Sequence, residues 1–239
     1  MQASVLPTLR SLRSLGAAAS LLALAACSSS TPDDVSGEVR ALSEFQNGIA
    51  TWYDATGAGN CGYDASPNDM DVAAMDMPEF NNSAMCGACA EVDGPNGTVR
   101  VRIVDSCPEC PAGHLDLSKQ AFAKISPVDA GRVQTQWRLV SCAVSGPVQY
   151  RVKEGSSAWW IGIQVRNHRL PISKLEWQNN GSWAEVHREN YNYFVNNSGM
   201  GPGPVKIRIT ATDGQTLVDT LPEIKAEKLY DGAAQFALQ

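Results

Sequence analysis

Beyond about residue 46 the chain is dominated by apolar–polar alternation of period two, the pattern of half-buried β-strands. NGIATWYD (47–54), TVRVRIVD (98–105) and VQTQWRLVSC (133–142) are strand-like, and DGPNG (93–97) is a turn cluster between strands. One stretch breaks the rule. In LDLSKQAFAKI (115–125), Leu117, Ala121 and Ile125 fall at helical spacing beside Phe122, and Ser118 is placed to cap. AVSGPV (143–148) forms a short Gly-Pro joint. After it, YRVKE, WWIGIQVR, ISKLEWQ, WAEVHR, VKIRITAT and TLVDTL follow one another, separated by NNGS, GMGPGP and DGQ. Asp213-Gly214 between alternating runs is a hairpin signal. Many short strands with frequent turns predict a β-sandwich here, with Trp177 and Trp183 as core candidates.

The N-terminus has a different character. Arg10 and Arg13 precede LGAAASLLALAAC, an export signal too short to span a bilayer, and LAAC resembles a bacterial lipobox with Cys27 as the lipidated residue. The Ser-rich, aperiodic SSSTPDDVSGEVRALS that follows predicts a flexible tether. The expected organisation is a signal peptide at 1–26, a lipidated Cys and tether at 27–45, a mostly β domain at 46–143, a linker at 144–148 and a β-sandwich at 149–239. Such a protein is exported and held at the outer membrane or cell surface by lipid alone, or shed from it. Removing the signal leaves 17 Lys+Arg against 25 Asp+Glu, a net charge of −8. That balance disfavours nucleic acid and anionic polymers, which need cationic neutralisation, and favours a neutral ligand.

Six cysteines remain once Cys27 is assigned to lipid, an even count that in an exported protein predicts disulfides. CGAC and CPEC, seventeen residues apart, have the spacing of a four-thiolate zinc site. Export to an oxidising compartment and the leftover Cys61 and Cys142 argue against zinc, so no metal or cofactor is expected. CGAC is also a thioredoxin-like pair, but that chemistry needs a helix N-terminus, and alternating AEVDGPNGTVRVRIVD follows it instead.

GIATWYD, CGY, FNNSAMCGACAEV, VRIVDSCPEC and HLDLSKQAF occur in an order that resembles the barrel of expansins of the bacterial type. YRVKEGSSAWWIGIQVRNHRLPISKLEW and ENYNYF resemble the second domain of those proteins. The resemblance covers roughly residues 46 to 236. It implies a mainly β protein, a six-stranded double-psi β-barrel followed by an Ig-like, cellulose-binding β-sandwich. It also implies the pairings Cys61–Cys86, Cys89–Cys142 and Cys107–Cys110, and a function in loosening plant walls without cutting polysaccharide. The expected partner is cellulose or another β-glucan, with xylan and peptidoglycan as further candidates, and the expected state is a monomer. The plant-like cysteines, the lipobox and the acidic charge depart from the usual bacterial pattern.

On this resemblance Thr51, Tyr53, Asp105 and Asp116 are polar groove residues, with Asp116 where related endoglucanases keep their catalytic acid. Inverting hydrolysis needs a second carboxyl about 6.5–9.5 Å away as base. Asp54 lies one residue too early for that position, and on a strand a one-residue shift reverses the face. A non-enzymatic groove is therefore expected. The alternatives are a hydrolase or lytic transglycosylase on the same barrel, acting on β-glucan or peptidoglycan, and a pure carbohydrate-binding adhesin. Trp159, Trp160 and Tyr191 match a row of exposed aromatics in the second domain, with Lys153 beside it. Strand alternation from Ile161, Ile163 and Val165 would put Trp159 in the core, whereas the resemblance puts both tryptophans outside. Both hold only if the strand has a bulge or irregular entry near Ala158–Trp160.

Overall fold

The computed structural model describes residues 39–238; the signal peptide, Cys27 and most of the predicted tether lie outside the described residues. Six strands form a closed barrel: β1 (Gln46–Tyr53), β2 (Val72–Asp76), β3 (Cys89–Gly94), β4 (Gly97–Cys107), β5 (His114–Ser118) and β6 (Arg132–Val140). Their order around the barrel is β1-β5-β2-β4-β3-β6, with β1/β5 and β2/β4 parallel and the other pairs antiparallel. Alternation sends Ala50, Met75, Val99, Val101, Ile103, Leu115, Leu117 and Trp137 inward, where they meet Phe80 and Phe122. Phe80 comes from the four-residue α1 (Met77–Phe80), Phe122 from α2 (Lys119–Ile125). Ser118 caps α2 by accepting from the Ala121 N–H, so Leu117 belongs to the strand and the helix starts two residues later.

The sulfurs are paired Cys61–Cys86, Cys89–Cys142 and Cys107–Cys110. The first two span 25 and 53 residues. Loops of that size remove about 3–5 kcal/mol of unfolded-chain entropy per bridge.

The second body is one eight-stranded sheet in the order β13-β12-β9-β10-β11-β8-β7-β14. Its strands are β7 (Gln149–Val152), β8 (Ile161–Arg166), β9 (Ile172–Asn179), β10 (Ser182–Arg188), β11 (Phe194–Asn196), β12 (Val205–Ala211), β13 (Thr216–Leu221) and β14 (Leu229–Asp231). The sheet wraps around a single core in which Tyr150, Ile161, Ile163 and Phe194 from one end meet Leu175, Val186, Ile207 and Ile209 from the other. The buried Tyr150 donates to Asp219 at 2.6 Å, which ties β7 to β13 across the list of strands. Trp177 packs against this core, but Trp183 does not. Trp183 lies on the outer face under the Arg208 guanidinium, 4.5 Å away, because strand register places Ala184 and Val186 opposite Trp177 and Leu175. Trp183 is therefore not a core residue.

The end of the predicted tether is also ordered. Arg40 and Ser141 exchange hydrogen bonds at 2.7 Å, Ala41 bridges Val140, and the Leu42 N–H donates to Leu139. Leu42 meanwhile packs against the core of the second sheet. Leu42, half-buried against that core, and a strand edge that takes the backbone of 40–43 explain why this segment leaves the flexible class. Compositional reading sees the serines and misses the edge.

Barrel and sheet meet largely, but not only, through backbone oxygens. Gln164, fully buried on β8, donates to the Cys61 carbonyl at 2.8 Å, and Asn192 reaches the same oxygen at 3.3 Å. Arg166 bridges to Asp64 at 2.7 Å, the Ser83 hydroxyl donates to the Glu189 carbonyl, and Arg188 donates to the Ser83 carbonyl.

Candidate functional site

Strand register lines up the polar residues of the barrel's outer face. Thr51 is opposite Asp116, Asp116 opposite Ala74, and Ala74 opposite Asp105. The four residues make one row across β1, β5, β2 and β4. Two strand spacings, about 9.5 Å of backbone, separate the two aspartates. Ala74, the only non-polar member, is buried.

The row is organised by hydrogen bonds. The Thr51 hydroxyl donates to Asp116 Oδ1 at 2.5 Å and lies 2.8 Å from His114 Nε2. A threonine has one hydroxyl proton, so with that proton on Asp116 the histidine must carry hydrogen on Nε2 and donate to Thr51. The result is a directed chain, His114 to Thr51 to Asp116. His114 is buried, and burial, then Arg132, hold its pKa below the usual value against the pull of Asp116 and Asp76. The neutral ring fits the chain, and its Nδ1 has no protein partner.

Asp105 spends Oδ1 on two backbone donors, Asn60 at 2.7 Å and Ser106 at 2.9 Å. Close to it, the Tyr53 hydroxyl is buried with no protein acceptor. Burial first, then the charges of Asp105 and Asp116, raise the pKa of that phenol, so it stays a donor at any physiological pH. That O–H is shielded from solvent, so the accessible polar groups of the row are Thr51, Asp105 and Asp116, each part-exposed. Asp54 follows the end of β1, is exposed, and has no hydrogen bond or ion pair among the described residues.

A second pair of acids sits one step along the strands. Asp76 is buried, caps α1 through the Glu79 N–H, and with Glu79 accepts from the Gly113 N–H at the turn before β5. Burial, then the neighbouring Asp76, push the Glu79 pKa up to about 7. Asp76, Glu79 and His114 were not legible as site residues, since 37 positions separate Asp76 from Gly113, the residue before β5.

In the second body the tryptophans do not begin β8. Ser157 and Trp160 form an isolated antiparallel bridge, with the Ser157 N–H donating to the Trp160 carbonyl at 2.7 Å. Ala158 and Trp159 are the tip of that turn, and β8 starts afterwards at Ile161. The irregular entry is a tight turn rather than a bulge. It keeps both rings out of the core: Trp159 is 81% exposed and Trp160 is half-buried.

From that turn the outer face of β8 and β11 runs back toward the barrel. Gly162 is opposite Val195, and a Cβ on Gly162 would meet Lys153 at 3.1 Å and Tyr193 at 3.4 Å. Lys153 lies over the ring of Tyr193 at 5.5 Å, not over Tyr191. Tyr191 in turn is tilted against Tyr193 with centroids 6.1 Å apart. The glycine keeps the floor low between the tryptophan turn and the tyrosine pair. Those ends are about 13 Å apart along four strand residues.

The tyrosine end joins the groove. Asn60, whose N–H is held by Asp105, donates from its side chain to the carbonyl of Asn190, next to Tyr191. Asn192, on the other side of Tyr191, bonds Cys61 and the Tyr63 hydroxyl. One run of residues, Asp105, Asn60, Asn190 and Tyr191, therefore makes the groove and the aromatic face adjoining surfaces. Asn60 carried no signal in the sequence, since its partners are 45 and 130 residues away.

Residues 45–137 match a protein family described as lytic transglycolase. Over 192 residues the chain is 38% identical to Expansin-YoaJ of Bacillus subtilis (strain 168), an alignment covering 77% of this chain and 81% of that protein. Expansin-A21 of Arabidopsis thaliana is 31% identical over 227 residues, covering 80% of this chain and 86% of that one. Among solved structures, a Clavibacter michiganensis expansin in its apo form superposes with a TM-score of 0.75 at 34% identity. A point mutant of a Clavibacter michiganensis expansin in complex with cellohexaose gives 0.76 at 33%. Each of these covers 82% of this chain and 100% of the other.

Proposed function

The chain belongs to the expansin family, and on that premise we propose that it binds cellulose or a related β-glucan and loosens plant-type walls without hydrolysis. The observation that carries this reading is the adjoining of groove and aromatic face through Asn60 and Tyr191. A single glucan chain lying along both surfaces gives apolar ring faces to Trp159, Trp160 and Tyr191. Its hydroxyls go to Asp116, Asp105 and Thr51. Hydrogen bonds made in the groove then replace those between neighbouring chains. Three rings covering about 100 Å² each would contribute roughly 6–9 kcal/mol before association costs. That supports micromolar rather than tight binding.

The non-hydrolytic part rests on Asp54, which is exposed beyond the strand end, and on Asp105, whose Oδ1 already serves two amides. We read the wrapped second sheet as the Ig-like sandwich of the family, and the protein as a monomer anchored through Cys27 at the outer membrane or cell surface. A second reading, a lytic transglycosylase on peptidoglycan, is favoured by the family matched at 45–137 and by the chain that orients Asp116.

Binding and product analysis on cellulose, xylan and peptidoglycan sacculi, run side by side, separate these readings. Binding to cellulose with no soluble product is expected. Soluble product from any of the three that is abolished by Asp116→Asn or Asp54→Asn would overturn the non-hydrolytic reading.

A further inference from the structure

Trp160 differs from Trp159 in one bond. Its indole N–H donates to Asn197 Oδ1 at 3.0 Å, whereas the Trp159 indole has no hydrogen-bond partner among the described residues. Continuing the β8/β11 register from Val195–Gly162 places Asn197 directly across from Trp160, so the two side chains can meet as a cross-strand pair. The segment around Asn197 is itself fixed. The Gly199 N–H donates to the Asn196 carbonyl, the Ser198 N–H to the Asn196 side chain, and the Gly201 N–H to the Ala158 carbonyl at 3.1 Å. Gly199 has φ +70°, and a Cβ there would stand 2.0 Å from the Ala158 oxygen. The segment thus sits flush beneath the turn that carries both tryptophans, and no larger residue fits at 199.

Resting on the platform reading above, we infer that Asn197 is the positioning residue of the aromatic face and makes Trp160 a face-only reader of the polysaccharide. With its single donor committed to Asn197, Trp160 has no polar group to offer a sugar hydroxyl. It contributes only the flat ring, held in one orientation before the ligand arrives, so ordering it costs less on binding. Trp159, with a free N–H on an exposed ring, is the partner that can sense hydroxyl position.

Adsorption isotherms on insoluble cellulose, read with melting temperature, test this in the full chain. Asn197→Leu should weaken adsorption about three- to tenfold, the cost of ordering one side chain on binding, with melting almost unchanged because the pair is exposed. Asn197→Asp, which keeps the acceptor oxygen, should bind like wild type. On a Trp160→Phe background, where no N–H exists, Asn197→Leu should cost nothing further. Wild-type adsorption by Asn197→Leu, or additive losses in the double variant, would overturn the inference. Wild-type adsorption by Trp160→Ala would instead remove the platform reading itself.

Discussion

Replacing Trp159 by alanine asks whether the exposed tryptophan is a binding group or an accident of the turn. The ring is 81% exposed and no hydrogen bond involves its side chain among the described residues, so truncation leaves no cavity and no orphaned partner there. Surface changes of this type stay within about 0.5 kcal/mol, against about 3–5 kcal/mol for a tryptophan removed from a core. Binding should respond quite differently. One ring face covering about 100 Å² of sugar is worth about 2.5 kcal/mol, or roughly sixtyfold in affinity. Because the face is already exposed and its turn is pinned by Ser157 and Gly201, little of this is lost to reorganisation. The assay is depletion from solution by crystalline cellulose over a range of protein concentrations, paired with a thermal melt. An affinity within twofold of wild type would refute the stacking argument. A melting point lowered by many degrees would refute the surface placement.

Thr51→Val removes the centre of the hydrogen-bonded chain while keeping shape. It should abolish most wall extension, measured by creep of clamped wall strips, and cost about 1–3 kcal/mol in chemical denaturation because the buried His114 loses its acceptor. Glu79 has a folded pKa raised to about 7, so its contribution is full below the unfolded carboxyl range and is lost as pH rises through 7. Urea midpoints should therefore fall between about pH 5 and 7, and Glu79→Gln should flatten that limb. His168, buried between the bodies with its pKa lowered to about 4 by burial first and then by Arg188 and Arg102, acts in the opposite sense. Its contribution is present above about pH 6.5 and is lost as pH falls toward 4, so His168→Gln should flatten the acid limb. Gln164→Ala leaves the Cys61 carbonyl with only the longer Asn192 bond, and a loss of about 1–3 kcal/mol by melting is expected.

What the sequence made legible was local. The helix that ends at Ile125, its Ser118 cap and the Asp213-Gly214 hairpin depend on neighbours within a few residues and were found, although the helix begins at Lys119 and leaves Leu117 to β5. β2 was silent because all five of its residues are buried, which erases alternation, and β11 and β14 are three residues each, too short for a period. Asp116 and Thr51 could be named from a resemblance, but the row that joins them to Asp105 through Ala74 is a matter of non-local register. The same holds for Asn197 beneath Trp160, which a string of small polar residues does not announce. Trp183 was misplaced for a simpler reason. A large apolar side chain suggests a core, while parity along β10 decides the face.

The junction between barrel and sheet has a mechanical meaning. Most of its acceptors on the barrel side are main-chain oxygens, of Cys61, Gly62 and Ser83, joined by the side chains of Asp64 and Tyr63, so docking depends largely on the path of the loops. That path is pinned by Cys61–Cys86, whose two cysteines stand at the foot of both loops. A polymer under tension, gripped in the groove and on the aromatic face at once, would load this joint in shear. The hydrogen bonds that would carry that load end on residues near, or part of, a covalent staple. Seen that way, the disulfide sets how stiffly two grips are coupled as well as how stable one barrel is.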